Sequence, residues 1–180
     1  MILPTGGSHF FHDFEERMLI GVISDTHDRI PQIEAAIEKF NERQVAATLH
    51  CGDFVAPFAL LPFAELTCKN FHGVFGNNDG EKRGLRIMFE KNGWTLNNRP
   101  HALEIGGIRV AMLHEPEPLA RLKEEGEFDL IVFGHTHEKY FEKSGKSMIV
   151  NPGEGCGWVK GVATAAIVDM EQKTCEFLIL

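Results

Sequence analysis

The 180-residue sequence lacks the features that would place a protein in or across a membrane. It has no apolar run near the roughly 20 residues that a membrane-spanning helix needs. Its first residues contain no basic stretch followed by an apolar core and a small-residue cleavage site. We therefore expect a cytoplasmic protein without a membrane partner.

Basic charge and paired cysteines are also scarce. The formal net charge is -8, whereas nucleic-acid polymers are bound mainly through basic patches that release counterions. The four cysteines are irregularly spaced and form no Cys-x-x-Cys pair, which argues against a zinc knuckle or a disulfide framework. We therefore expect a small substrate and no nucleic-acid polymer. A homo-oligomer is compatible with the sequence.

Short apolar runs alternate with polar or amphipathic stretches from Met18 onward, which predicts an α/β domain. Residues 1–17 show no sustained hydrophobic periodicity, so we expect a partly disordered N-terminal extension there. A single domain should follow over residues 18–180. Buried strands are predicted at residues 19–23, 46–50, 71–75, 108–113 and 130–133.

Helical periodicity is clearest between the first two strands, where apolar residues recur at helical spacing from Ile30 to Phe40. Shorter helices are predicted over residues 57–66, 81–92 and 119–125. The sequence after Thr136 lacks helical segments, which predicts antiparallel strands that form a second sheet.

Polar side chains that can bind metals follow each of the five predicted strands, just past its carboxyl end. Any one of them alone would usually be a surface or packing residue. Because the carboxyl ends of parallel strands share one edge of a sheet, five such coincidences predict a single crevice. The residues are Asp25 and His27, Asp53, Asn77, His114, and His135 with His137.

The number of these side chains argues for two metal ions. Two carboxylates, four imidazoles and one carboxamide exceed the four ligands of a structural zinc site. They suit two divalent ions about 3.5 to 4 Å apart that share a carboxylate and a water. Two such ions, two carboxylates and one hydroxide leave a net charge of about +1, which would attract an anionic phosphate.

The motifs around these residues resemble those of the calcineurin-like metallophosphoesterases. With Asn151-Pro152-Gly153-Glu154, they are most similar to the small prokaryotic phosphodiesterase branch, from about Met18 to the C-terminus. The motifs are Asp25-Thr26-His27, Gly52-Asp53, Gly76-Asn77-Asn78-Asp79, His114 and Gly134-His135-Thr136-His137.

This resemblance implies a four-layer α/β/β/α sandwich with two mixed β-sheets. It also implies that the chain hydrolyses small phosphoesters, above all phosphodiesters. In that chemistry, a hydroxide bridging two divalent ions attacks phosphorus in line. The family uses manganese, nickel, iron or zinc, and the mixed oxygen and imidazole ligands do not choose among them.

The resemblance also assigns each ligand a place by motif position. Asp25, His27 and His137 would hold the first ion. Asn77, His114 and His135 would hold the second ion. Asp53 would bridge the two, and the catalytic set would comprise Asp53, Asn77, Asn78 and His114.

Two positions depart from the family pattern. Many phosphatases of the superfamily carry a histidine directly after the metal-binding asparagine, where it can protonate the leaving oxygen, but this chain has Asn78. An amide cannot act as a useful acid, so the substrate range is narrower. Glu115 follows His114 where relatives usually have glycine, which puts the shape of that loop in question.

Two alternative functions share part of this pattern. One retromer subunit resembles the fold but has a degraded metal site and works as a non-catalytic protein-binding scaffold, whereas all seven ligand positions remain here. Metallo-β-lactamase-like enzymes also hold two metals. Their His-x-His-x-Asp-His block is absent, because His137 is followed by Glu138, Lys139 and Tyr140.

Several other residues near the motifs have simpler interpretations. The sequence assigns His50 a packing role and Trp158 a place in the core or in the cleft wall. Asp79, two residues from a predicted ligand, is interpreted as a carboxylate that orients the metal-binding residues.

Overall fold

The computed structural model describes residues 17–180. The extension expected over residues 1–17 therefore lies outside the described residues, apart from Arg17. The Arg17 Nε donates a hydrogen bond of 3.0 Å to Asp169 Oδ2, which ties the start of the described chain to the domain. Within residues 17–180, no helix combines the length and the apolar character needed to cross a membrane.

The described chain forms eleven strands, three α-helices and one 3₁₀ helix. The strands are β1 (Leu19–Ile23), β2 (Ala47–His50), β3 (Phe71–Val74), β4 (Thr95–Asn97), β5 (His101–Ile105), β6 (Ile108–Met112), β7 (Leu130–Val132), β8 (Lys139–Ser144), β9 (Ser147–Pro152), β10 (Thr164–Asp169) and β11 (Thr174–Ile179). The helices are α1 (Ile30–Glu42), α2 (Lys82–Lys91) and α3 (Leu119–Glu125), and the 3₁₀ helix spans Pro57–Glu65.

The strands form two mixed sheets, as the resemblance implied. The first sheet has the order β11-β10-β1-β2-β3-β4, in which β1 to β4 run parallel and β10 and β11 pair antiparallel at one side. The second sheet has the order β5-β6-β7-β9-β8, in which the three central strands are parallel and both edge strands antiparallel.

Three hydrophobic clusters separate four layers of structure. In the first, aromatic side chains such as Phe40 and Phe89 join the helices α1 and α2 to the outer face of the first sheet. The second cluster lies between the sheets, where Leu49 meets residues such as Val132. The third packs Leu122 of α3 on the outer face of the second sheet. The predicted α/β/β/α sandwich is therefore confirmed.

The helix predictions hold, with one difference in type. Helix α1 carries Pro31 in its first turn, where the missing N–H of proline costs no hydrogen bond. The predicted helix at residues 57–66 is a 3₁₀ helix. Pro62 lies inside it and lacks the N–H that a continuing α-helix needs, which accounts for the different winding.

Two strand predictions need correction. Strands β4 and β5 were not predicted. Strand β4 has only three residues, and both strands are partly exposed, so neither has a continuous apolar run. The C-terminal strands were expected to form the second sheet, but only β8 and β9 join it, whereas β10 and β11 return to the first sheet. Strand pairing across such distances in sequence leaves no local pattern.

Candidate metal centre

The structure brings all seven predicted ligand side chains into one crevice. Strands β1, β2 and β3 end at one edge of the first sheet, and β6 and β7 end at the facing edge of the second sheet. Three overlapping groups of contacts join the seven residues there. They are Asp25 with His27 and His137, Asp25 with Asp53 and His114, and Asn77 with His114 and His135.

The first group brings three potential metal-ligand atoms close together. One potential ligand atom from each of Asp25, His27 and His137 lies within 4.8 Å of the others. Among the described residues, the buried His27 Nε2 has no hydrogen-bond partner, and the buried Asp25 Oδ1 is contacted by His137 Nε2 at 3.3 Å. Buried polar atoms are nearly always paired, so this convergence fits a cation that would satisfy both atoms.

The group around Asn77 also brings potential metal-ligand atoms close together. Its Oδ1 lies 2.8 Å from His114 Nε2 and 2.9 Å from His135 Nδ1. The His114 Nδ1 donates to the Cys51 carbonyl oxygen at 2.7 Å, so a neutral His114 turns the lone pair of Nε2 toward Asn77. Such fixing of one imidazole nitrogen by a backbone carbonyl is common for metal-binding histidines.

Asp53 lies between the two groups. Its Oδ2 is 3.6 Å from His27 Nε2 and 3.5 Å from His114 Nε2. Asn78 holds this carboxylate through both of its N–H groups, with the backbone N 2.8 Å from Oδ1 and Nδ2 2.7 Å from Oδ2. Asn78 is therefore placed as a positioning residue for Asp53.

The electrostatics keep Asp53 ionised. Burial alone would raise the pKa of this carboxyl group, but the contact with His114, 3.5 Å away, and the hydrogen bonds from Asn78 outweigh burial and hold the pKa well below its ordinary value. Burial likewise lowers the pKa of His114, yet the neighbouring Asp53 reverses the direction and raises it overall. The crevice thus combines a permanent negative charge with imidazoles.

Most of the ligands adopt a backbone conformation that side chains avoid. Non-glycine residues rarely have positive φ, and such residues cluster at functional sites. Five of the seven predicted ligands have it, each in the turn that leaves a strand: Asp25 (54°), His27 (39°), Asp53 (60°), His135 (67°) and His137 (58°). Surrounding contacts must hold these turns in place.

The glycines beside the ligands serve two purposes. Gly52 has a φ of 102°, as expected for a sharp turn. At Gly76 the constraint is space, since a Cβ atom there would lie 2.0 Å from Asp53 Oδ1. At Gly134 a Cβ atom would lie 2.0 Å from Ser24 Oγ. The sequence suggested turns for all three, but close approach decides the last two.

His50 has a larger role than the packing role that the sequence suggested. Its Nδ1 accepts a hydrogen bond from the Gly52 N–H at 3.1 Å, so the neutral ring carries its proton on Nε2, which faces Thr26 Oγ1 at 3.0 Å. Burial lowers the pKa of His50 well below its ordinary value, so the ring stays neutral. It ties the turn containing Asp25 and His27 to the turn containing Asp53.

Asp79 supports the same turns from the other side. Its carboxylate accepts hydrogen bonds from three backbone N–H groups, those of Asp53 at 3.1 Å, Gly76 at 2.7 Å and Val55 at 2.8 Å. The interpretation of Asp79 as an orienting carboxylate agrees with these contacts, which act on the backbone of the ligand turns.

Glu154 links His137 to the following loop. Its Oε1 lies 3.5 Å from His137 Nδ1, and its two oxygens accept hydrogen bonds from the backbone N–H groups of Val159 and Lys160 at 2.8 and 2.7 Å. Its side chain is fully buried. A carboxylate behind a histidine fixes the orientation of that ring for metal binding.

The negative charge of Glu115 is compensated. Arg99 donates two hydrogen bonds to its carboxylate and a third, of 2.8 Å, to the Phe75 carbonyl oxygen. The Arg99 hydrogen bond lowers the pKa of Glu115. Both residues line a cavity of about 500 Å³ that also reaches His114. A larger cavity of about 730 Å³, around Arg43 and Asp169, contains none of the seven ligands.

Comparison with known proteins identifies the family to which this chain is similar. Residues 18–173 match the calcineurin-like phosphoesterase superfamily domain. The chain is 37% identical over 169 residues to a phosphodiesterase of Methanocaldococcus jannaschii, and the match covers 91% of this chain and 99% of that protein. A solved structure of an archaeal phosphodiesterase superimposes with a TM-score of 0.84 at 36% identity, over 91% of this chain and all of the other.

The chain therefore belongs to the calcineurin-like phosphoesterase superfamily. A zinc-bound Vps29 from Entamoeba histolytica shares the fold, with a TM-score of 0.65 at 19% identity over 90% of this chain and 99% of the other.

A pair of glycine substitutions tests how tightly the crevice is built. Gly76→Ala should lower the free energy of unfolding by about 1–3 kcal/mol, because the new methyl group collides with Asp53. The matched change Gly80→Ala, in the same loop but with nothing within 4 Å, should stay within about 0.5 kcal/mol. Urea denaturation measures both. Equal effects would contradict the close approach at Gly76.

Proposed function

We propose that the chain is a phosphodiesterase with a dinuclear metal centre. The observation that carries this proposal is the position of Asp53, whose ionised carboxylate lies between two groups of converging lone pairs. The similarity to the Methanocaldococcus jannaschii phosphodiesterase supports the choice of reaction.

Each ligand has a proposed place. Asp25, His27 and His137 would hold one ion, and Asn77, His114 and His135 would hold the other. Asp53 would be a ligand of both. When bound, the two ions would supply an activated water as the nucleophile for phosphorus and positive charge that stabilises the transition state. Carboxylate, amide and imidazole ligands suit manganese, iron, nickel and zinc, and we propose manganese as the first to test.

The chain's own residues define what the crevice can accept. Asp25, Asp53 and His114 are buried, whereas Asn77 and His135 are exposed, so the site is open on the side of the second ion. A phosphodiester carries one negative charge, which matches a centre with a net charge of about +1. The acidic chain as a whole favours a small ester over a nucleic-acid polymer. Cytoplasmic location and homo-oligomerisation stay predictions from the sequence.

Replacing the bridging carboxylate should abolish the reaction. Asp53→Asn should reduce metal-dependent hydrolysis of bis(p-nitrophenyl) phosphate by more than about 100-fold, since groups that support transition-state charge contribute on that order. It should also reduce the bound metal, as measured by elemental analysis. Asp129→Asn, which changes a carboxylate outside the crevice, is the control. Near-full turnover with two ions bound would rule out the bridging role.

The same assay separates an enzyme from a protein-binding scaffold. Wild-type protein that binds two ions but hydrolyses none of a panel of phosphodiesters would favour the scaffold. Metal-dependent hydrolysis that Asp53→Asn removes favours the enzyme, because a contaminating hydrolase would not respond to that substitution.

The absence of an acid at Asn78 predicts a strong dependence on the leaving group. Two other side chains could be considered as the acid, Glu115 and His101, but both have partners. Glu115 is paired with Arg99, and His101 Nε2 lies 3.1 Å from Asn97 Nδ2. Rates over aryl esters of graded acidity should therefore rise steeply as the leaving-group pKa falls. Asn78→Ala should keep both metals and lose less activity than Asp53→Asn.

Asn78→His supplies the complementary test. A correctly placed general acid contributes roughly 10² to 10⁴-fold, and the gain should appear for poor leaving groups only. A flat leaving-group dependence in the wild-type protein, with the chemical step rate-limiting, would show that another residue donates the proton.

A further inference from the structure

Trp158 is an exposed aromatic side chain that the proposed metal chemistry does not use. Its residue is 65% exposed, although tryptophan is among the side chains that gain most from burial. The sequence suggested a place in the core or the cleft wall, and the exposure excludes the core. The other tryptophan, Trp94, packs edge-on against Phe71 and Phe89.

Despite its exposure, the indole is held in place on one face. The guanidinium carbon of Arg29 lies 4.3 Å from the ring centroid, within the range of a cation–π contact. Arg29 is fixed in turn by a hydrogen bond to the Cys156 carbonyl oxygen. The backbone directly after Trp158 is anchored by Glu154, which accepts hydrogen bonds from the N–H groups of Val159 and Lys160. An aromatic ring with one face backed and the remainder exposed can stack a planar ligand.

The position of this ring relates it to the first group of ligands. Arg29 follows His27 by two residues, and the Cys156 N–H donates to the Asp25 carbonyl oxygen at 3.0 Å. Glu154 contacts His137 Nδ1 while it anchors the loop that carries Trp158. The indole and its Arg29 support are thus attached to the chain segments that carry Asp25, His27 and His137.

We propose that Trp158, backed by Arg29, is a stacking platform for a planar aromatic group on the substrate. The substrate would then be a phosphoester in which one arm carries a nucleobase or an aryl ring. This inference rests on the proposed function, because the phosphate must be bound at the metal centre for the ring to reach the platform. Stacking on an exposed aromatic side chain tolerates different rings, since each has a π face.

Product-type ligands test the platform without turnover. Adenosine 5′-monophosphate, phenyl phosphate and ribose 5-phosphate each carry a phosphate monoester, and the last lacks an aromatic ring. Isothermal titration of the Mn²⁺-loaded full-length protein should show about ten-fold tighter binding of an aromatic ligand than of ribose 5-phosphate. Preference for adenosine 5′-monophosphate alone would identify a platform one sugar away from the phosphate, and preference for phenyl phosphate one adjacent to it.

The variants locate the preference on the ring. Trp158→Ala should remove it and leave ribose 5-phosphate binding unchanged, whereas Trp158→Phe should keep most of it. Val159→Ala, which changes the neighbouring 72% exposed residue, is the matched control and should have no effect.

Failure of the platform and failure of the proposed function give different results. Equal binding of all three ligands by the wild-type protein, or a preference that survives Trp158→Ala, would overturn the platform alone. Failure of all three to bind the Mn²⁺-loaded protein would count against the phosphate site itself, and the platform would fall with it.

Discussion

The crevice depends on one electrostatic constraint: lone pairs from two carboxylates, four imidazoles and one amide face each other with few protons between them. Asp53 is the centre of this arrangement, because its ionised carboxylate lies near histidines of both groups. Within the described residues, His27 Nε2 has no hydrogen-bond partner, and Asp25 Oδ1 is contacted by His137 Nε2 at 3.3 Å. Divalent cations would satisfy the lone pairs of both groups.

The supporting contacts explain how the chain maintains such an arrangement. Five ligand residues have positive φ, a conformation that costs of order 1–3 kcal/mol per residue in unfavourable cases. His50, Asp79 and Glu154 are buried and hydrogen-bond to the turns or loops that carry the ligands. These groups act on backbone N–H donors, so they fix turn geometry before any ion binds. The layered sheets in turn bring the two sets of turns together.

Much of this arrangement is predictable from the sequence, because ligand types and strand ends are local features. The positions of Asp25 and His135 directly after apolar runs, for example, predicted a shared edge. The pairing of β10 with β1 was not predictable, since the two strands lie far apart in sequence. The role of His50 also had no local signal, because its partner Thr26 becomes its neighbour only when β1 and β2 pair.

The most direct test of the central claim is anomalous diffraction from crystals of the full-length protein grown with Mn²⁺. The account predicts two anomalous peaks about 3.5 to 4 Å apart, with the Asp53 carboxylate between them. One peak should lie beside His27 and His137, and the other beside His114 and His135. A single peak, or two peaks that do not share Asp53, would contradict the dinuclear centre.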